Sequence, residues 1–175
     1  MTRLPRTLRL DASDTVVFER AAEPGEWAVP GGFCFADDDL DGLAGKRRQA
    51  FRAGFLGLAS FGWSTLVEVA DATPAERAAA VAGLAAHLGA DYGAPDESAA
   101  RAAAEEEIAF AEELCRDHPP GTVLALSRSA EGGEVRERFR TLHRRDTAPV
   151  FAVIEEDEEV VDPPDLAALA RRRGG

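Results

Sequence analysis

The chain has 175 residues, 45% of them hydrophobic and 30% charged, with 32 acidic side chains against 20 basic ones and a formal net charge of −12. That length suits one domain with its own core, and that charge argues against a nucleic-acid surface, which needs a net basic footprint. No apolar run approaches the roughly 20 residues that span a bilayer, and Met1–Arg6 lacks the apolar stretch of a signal peptide. Two cysteines, Cys34 and Cys115, are too few for a disulfide framework and suit a reducing compartment. The expectation is a soluble, cytoplasmic α+β domain with neither a membrane nor a nucleic-acid partner.

The first third reads as short strands. Thr7–Leu10 and Thr15–Phe18 flank Asp11-Ala12-Ser13-Asp14, a turn-forming run that predicts a hairpin. Glu26–Val29 and Phe33–Phe35 read as strands separated by a turn at Pro30-Gly31-Gly32. That glycine pair lacks the spacing and the following Lys-Ser/Thr of a phosphate loop. A helix is predicted over Leu43–Leu58, where Phe51, Phe55 and Leu58 share one face. Trp63–Ala70 then alternates Trp63, Thr65, Val67 and Val69 on one side, which is strand periodicity.

Thr73-Pro74-Ala75-Glu76 is a capping box with proline at the first helical position. The helix it opens carries Val81, Leu84, Ala85 and Leu88 on one stripe. A second helix, Asp96–Asp117, must stop before Pro119-Pro120. Thr122–Ser129 and Glu134–Leu142 form a hairpin about Gly132-Gly133. That turn sets Arg128 opposite Glu137, Leu126 opposite Phe139 and Leu124 opposite Thr141, with Leu124, Leu126, Val135 and Phe139 on one face. Val150–Ile154 reads as a last strand, followed by acidic residues 155–159 and a short helical segment at Leu166–Arg172.

Several patterns touch on chemistry. Asp37, Asp39, Asp41 and Gly42 match the opening of a calcium loop, but its twelfth position is Arg48, where a bidentate glutamate is required. A solvated turn in which Asp41 caps the next helix is the preferred reading. Cys115 and His118 make half a zinc site, with His87 and His143 too far along the chain to complete it. Cys115 also falls on the apolar stripe of its helix, where a core thiol is the simpler account. Gly57-Leu58-Ala59-Ser60-Phe61-Gly62 misses the nucleophile-elbow spacing by one residue and precedes a strand instead of following one. Glu107 sits near the middle of an apolar helix face with Ala103, Ala104, Ile108, Phe110, Ala111 and Leu114. Burial there suits it to acid–base work, although a structural pair with a neighbouring arginine is favoured. Arg136, Arg138 and Arg140 line the outer hairpin face at period two and could hold a phosphate or carboxylate. Neutralisation by the acidic run at 155–159 is the favoured alternative.

The stretches Gly54-Phe55-Leu56-Gly57, Ser60-Phe61-Gly62-Trp63-Ser64-Thr65, Ala103–Ala111, His118-Pro119-Pro120-Gly121-Thr122 and Glu137–Leu142 resemble an uncharacterised family of small bacterial cytoplasmic proteins. The likeness runs to about Leu142. It implies an accessory role beside the maturation of iron–sulfur or molybdenum redox enzymes and carries over no catalytic residue.

Taken together, residues 1–154 are expected to form one α+β domain. It would be a largely antiparallel twisted sheet with helices packed on one face, followed by an acidic tail at 155–175. The expected function is a non-catalytic accessory or interaction protein with no cofactor and with a protein partner, a homodimer being left open. An anionic-ligand module on Arg136, Arg138 and Arg140 is the alternative, and an enzyme using Glu107 stands behind it.

Overall fold

The computed structural model describes residues 1–144 and 154–157. In chain order the elements are β1 (Thr2–Leu8), α1 (Ser13–Val17), β2 (Ala28–Val29), α2 (Gly45–Ala53), β3 (Phe55–Gly57), β4 (Trp63–Ser64), β5 (Leu66–Ala72), α3 (Pro74–Asp91), α4 (Glu97–Cys115), β6 (Val123–Glu131), β7 (Glu134–Arg144) and β8 (Ile154–Asp157). Turns of 3-10 helix lie at Gly32–Phe35 and Leu40–Gly42. One antiparallel sheet has the order β1-β5-β6-β7-β8, and a smaller one has the order β2-β3-β4. The chain is a mixed α+β domain.

The two long helices begin where the sequence says they must. Thr73 Oγ1 accepts the Glu76 N–H at 3.1 Å and Glu76 Oε2 accepts the Thr73 N–H at 2.7 Å, closing the capping box of α3. Asp96 caps α4 by accepting the Ala99 N–H at 2.7 Å. The helices meet through small side chains, with Ala80, Ala100, Ala104 and Ala111 buried, so their backbones approach closely around Val81, Leu84, Leu88 and Ile108. Full burial of side chains such as Leu84 and Ile108 is worth about 1.5–3 kcal/mol each. Further along α4, Leu114 and Cys115 join Val67, Val69, Leu124, Leu126 and Phe139 of the large sheet in one buried cluster.

The β6–β7 hairpin has the predicted register, with Leu124↔Thr141, Leu126↔Phe139 and Arg128↔Glu137. Gly132 and Gly133 have φ of +59° and +83°, the pair of positive angles that a two-residue type I′ turn requires.

The first third of the chain departs from its reading. Thr7–Leu10 and Thr15–Phe18 do not form a hairpin. The partner of β1 is β5, from Thr2↔Ala72 to Leu8↔Leu66, and residues 13–17 are the helix α1. The branched side chains of Thr15, Val16 and Val17 favour a strand, but the buried Asp14 overrides them. Its Oδ1 accepts the Thr65 hydroxyl at 2.6 Å and its Oδ2 the Thr65 N–H at 3.2 Å. Thr65 is also where the chain passes from the small sheet to the large one, so the predicted strand Trp63–Ala70 is divided into β4 and β5.

Phe33–Phe35 is 3-10 helix, not strand, because Phe33, Cys34 and Phe35 all point inward and a strand would have turned one of them out. The turn before it is as read. Gly31 has φ of +77°, and a Cβ there would lie 2.7 Å from the Leu56 Cβ. The predicted helix Leu43–Leu58 ends at Ala53 and the chain continues as β3. Gly54 permits this because a Cβ at that position would lie 2.8 Å from the Trp63 ring. Asp41 caps no helix, since the N-cap of α2 is Ala44, without a side-chain bond.

Of the predicted strand Val150–Ile154, Ile154 opens β8. Residues 150–153 and the segment Leu166–Arg172 lie outside the described residues. The backbone of β8 pairs antiparallel with β7, from Arg144↔Ile154 to Thr141↔Asp157, which sets the start of the acidic run beside the hairpin.

Candidate functional site

Period-two alternation places Arg128 and Glu137 on the same face as Leu126 and Phe139, and both are buried, with side-chain exposures of 0% and 1%. The Arg128 Nε donates to Glu137 Oε2 at 2.9 Å. Its Nη1 donates to the Phe51 carbonyl and its Nη2 to the Pro30 carbonyl, both at 2.7 Å. The planar fork therefore ties the hairpin to the end of α2 and to the turn before the first 3-10 segment. The rings of Phe35 and Phe51 lie 5.8 Å from its guanidinium carbon.

Glu26 has a comparable task. Its Oε1 accepts the N–H groups of Ala59 and Ser60 at 2.8 and 2.7 Å, and its Oε2 accepts the Glu23 N–H at 2.6 Å and the Ser60 hydroxyl at 2.7 Å. The serine of the elbow-like stretch is thus held as a donor to a buried carboxylate in the β3–β4 turn. The neighbouring Phe61 has a φ of +55° and stacks on His87 at 3.6 Å between ring centroids. His87 Nδ1 lies 3.0 Å from Asp91. Burial holds the His87 pKa below its ordinary value, with Asp91 opposing the shift and Arg20 adding to it.

Asp37, Asp39 and Asp41 are exposed around the 3-10 turn Leu40–Gly42, while Asp38 pairs with Arg47 at 2.8 Å. Among the described residues, no three His, Cys, Asp or Glu side chains gather as a metal site. Cys115 is buried at the end of α4, where burial pushes its thiol up to about 12. Cys34 is buried too, and burial pushes it up to about 11 even though a hydrogen bond from Tyr92 and the charges of Arg128 and Arg47 pull it down. Glu107 is half-buried on α4, and its charge reaches Cys34.

The arginine row does not act as one unit. Arg136 and Arg138 are exposed and make no ion pair among the described residues, whereas Arg140 is half-buried and engaged. Arg138 lines a cleft of about 490 Å³ with Ser127, Ser129 and Glu131 of β6 and with Gln49 and Arg52 of α2. This cleft exists because β6 outruns its partner. The β5–β6 pairing stops at Leu66↔Ala125, and α2 packs beside the remainder. Arg52 is exposed and also has no ion-pair partner among the described residues.

The sequence reading missed Asp14, Glu26, Arg52 and the inward orientation of Arg128 and Glu137. For the last two the signal was present in the alternation of the hairpin it had already registered. For the others it was not, because their partners are remote in the chain.

No helix among the described residues is long and apolar enough to cross a membrane. A search of curated proteins finds no match for this chain, and a search of solved structures finds none either. The model of a family of unknown function (DUF6505) matches residues 1–159, past Leu142 and through β8, and the chain belongs to that family.

Proposed function

We propose that the protein is a non-catalytic accessory protein that acts in the cytoplasm by binding another protein. The observation that carries this reading is how the interior charges are committed. The buried charged side chains among the described residues are Asp14, Glu26, Arg128 and Glu137. Asp14, Glu26 and Arg128 hold remote loops, turns and strands through side-chain bonds, while Glu137 accepts from Arg128. A group locked into such bonds lacks the freedom to take up and release a proton in each catalytic cycle. The same bonds make a rigid scaffold, which suits recognition at the surface because little order is lost on binding. With a net charge of −12, a protein partner fits better than nucleic acid.

The test is tagged full-length protein recovered from its own cells at moderate salt. The candidate partner is then tagged and used to recover this chain. One stoichiometric partner found in both directions supports the reading. Recovery of the chain alone as a monodisperse species overturns it.

A further inference from the structure

We propose that the cleft between α2 and the β6–β7 hairpin is a binding site for a small molecule carrying a phosphoryl group. This goes beyond the accessory reading and does not depend on it. Among the described residues Arg3, Arg47, Arg77, Arg116 and Arg128 have acidic partners. In a chain with 32 acidic residues, two arginines from different elements, Arg52 and Arg138, converge on one cleft without such a partner.

Apart from Glu131, the polar groups around them can donate. Gln49 and Arg52 are three apart on α2 and so share a helix face. Ser127 stands directly across the ladder from Arg138, and Ser129 is two residues further along the same face. Two guanidinium forks, two hydroxyls and one amide offer more donors than the two oxygens of a carboxylate can use. The three terminal oxygens of a phosphoryl group can use more of them. The α2 wall is also pre-set, since Arg128 holds the Phe51 carbonyl immediately before Arg52.

Size and charge restrict the ligand further. A volume of about 490 Å³ suits a small molecule. Glu131 at the cleft and the overall charge of −12 disfavour a polyanion. Remote acidic groups are screened over about 8 Å at physiological salt, so the two local arginines dominate inside the cleft.

The experiment titrates full-length protein with inorganic phosphate at constant ionic strength, with succinate as the comparator. Melting temperature and backbone amide shifts are followed together. We expect a saturable rise in melting temperature with phosphate and an affinity for succinate about tenfold or more weaker, with shifts centred on residues 49–53 and 127–131. Combining Arg52→Gln with Arg138→Gln should abolish the response while leaving the phosphate-free melting temperature nearly unchanged, because both side chains are exposed. Arg136→Gln should keep the response. A phosphate response that is absent, that survives in the double variant, or that succinate equals overturns the proposal.

Discussion

Arg128 and Glu137 form an ion pair at 2.9 Å that solvent does not reach, across a hairpin whose turn lies only a few residues away. Removing one partner strands the other charge in the core, a change that costs about 3–5 kcal/mol. Glu137→Leu and Arg128→Met should each lower stability by that order in urea denaturation. The double variant should lose less than the two single losses combined, because no buried charge remains. It should still fall below wild type, since the Phe51 and Pro30 carbonyls lose their donor. Strict additivity would mean that the two side chains are not coupled.

Thr73→Ala should cost about 1 kcal/mol, because it removes the acceptor for one orphan N–H at the start of α3. The site is exposed, so nothing in the core is disturbed. An unchanged denaturation midpoint would show that α3 holds its first turn without the cap.

The pH dependence at His87 has a definite sign. Burial holds the folded pKa below the ordinary 6.5, so the unfolded chain takes up the proton more readily than the folded one. The contribution is intact above the unfolded value and is lost as pH falls through the lower folded value. Between about pH 7.5 and about pH 5, wild type should therefore lose more stability than His87→Gln, a variant that cannot be charged. Equal losses in the two proteins would contradict this.

Both thiols should be slow to react in the folded protein. With burial pushing Cys34 up to about 11 and Cys115 up to about 12, almost no thiolate exists at about pH 8. Titration with an aromatic disulfide reagent should count close to zero thiols in the native protein and two in denaturant. Rapid reaction of one thiol in the native state would show that its site opens easily.

How legible the chain was depended on distance along it. The α3 cap and the β6–β7 register rest on residues within one turn of each other, and local chemistry settles them. Local pattern pairs β1 with the nearest branched run, whereas its true partner, β5, lies beyond α1, α2 and the whole small sheet. Asp14 could be recognised as a helix-forming anchor only with Thr65 in view. Arg138 is legible on the hairpin by its alternation, but Arg52, which shares its cleft, belongs to a helix that lies beside β6 where the β5–β6 pairing ends at Leu66↔Ala125. Period-two alternation assigns Arg136, Arg138 and Arg140 to one face, and the structure separates Arg140 from the two exposed ones.

The strand order β1-β5-β6-β7-β8 has a consequence for the timing of assembly. The β6–β7 ladder closes over two glycines, and hairpins of this kind form in about 1–10 μs. Joining β1 to β5 requires the ends of a long intervening stretch to meet, and the entropy of that closure must be overcome before any of its contacts help. The hairpin is thus the natural early nucleus, and the N-terminal strand is the last to arrive. A nascent chain has made β1 long before the elements it needs have left the ribosome. Until then β1 itself is the strand without a partner.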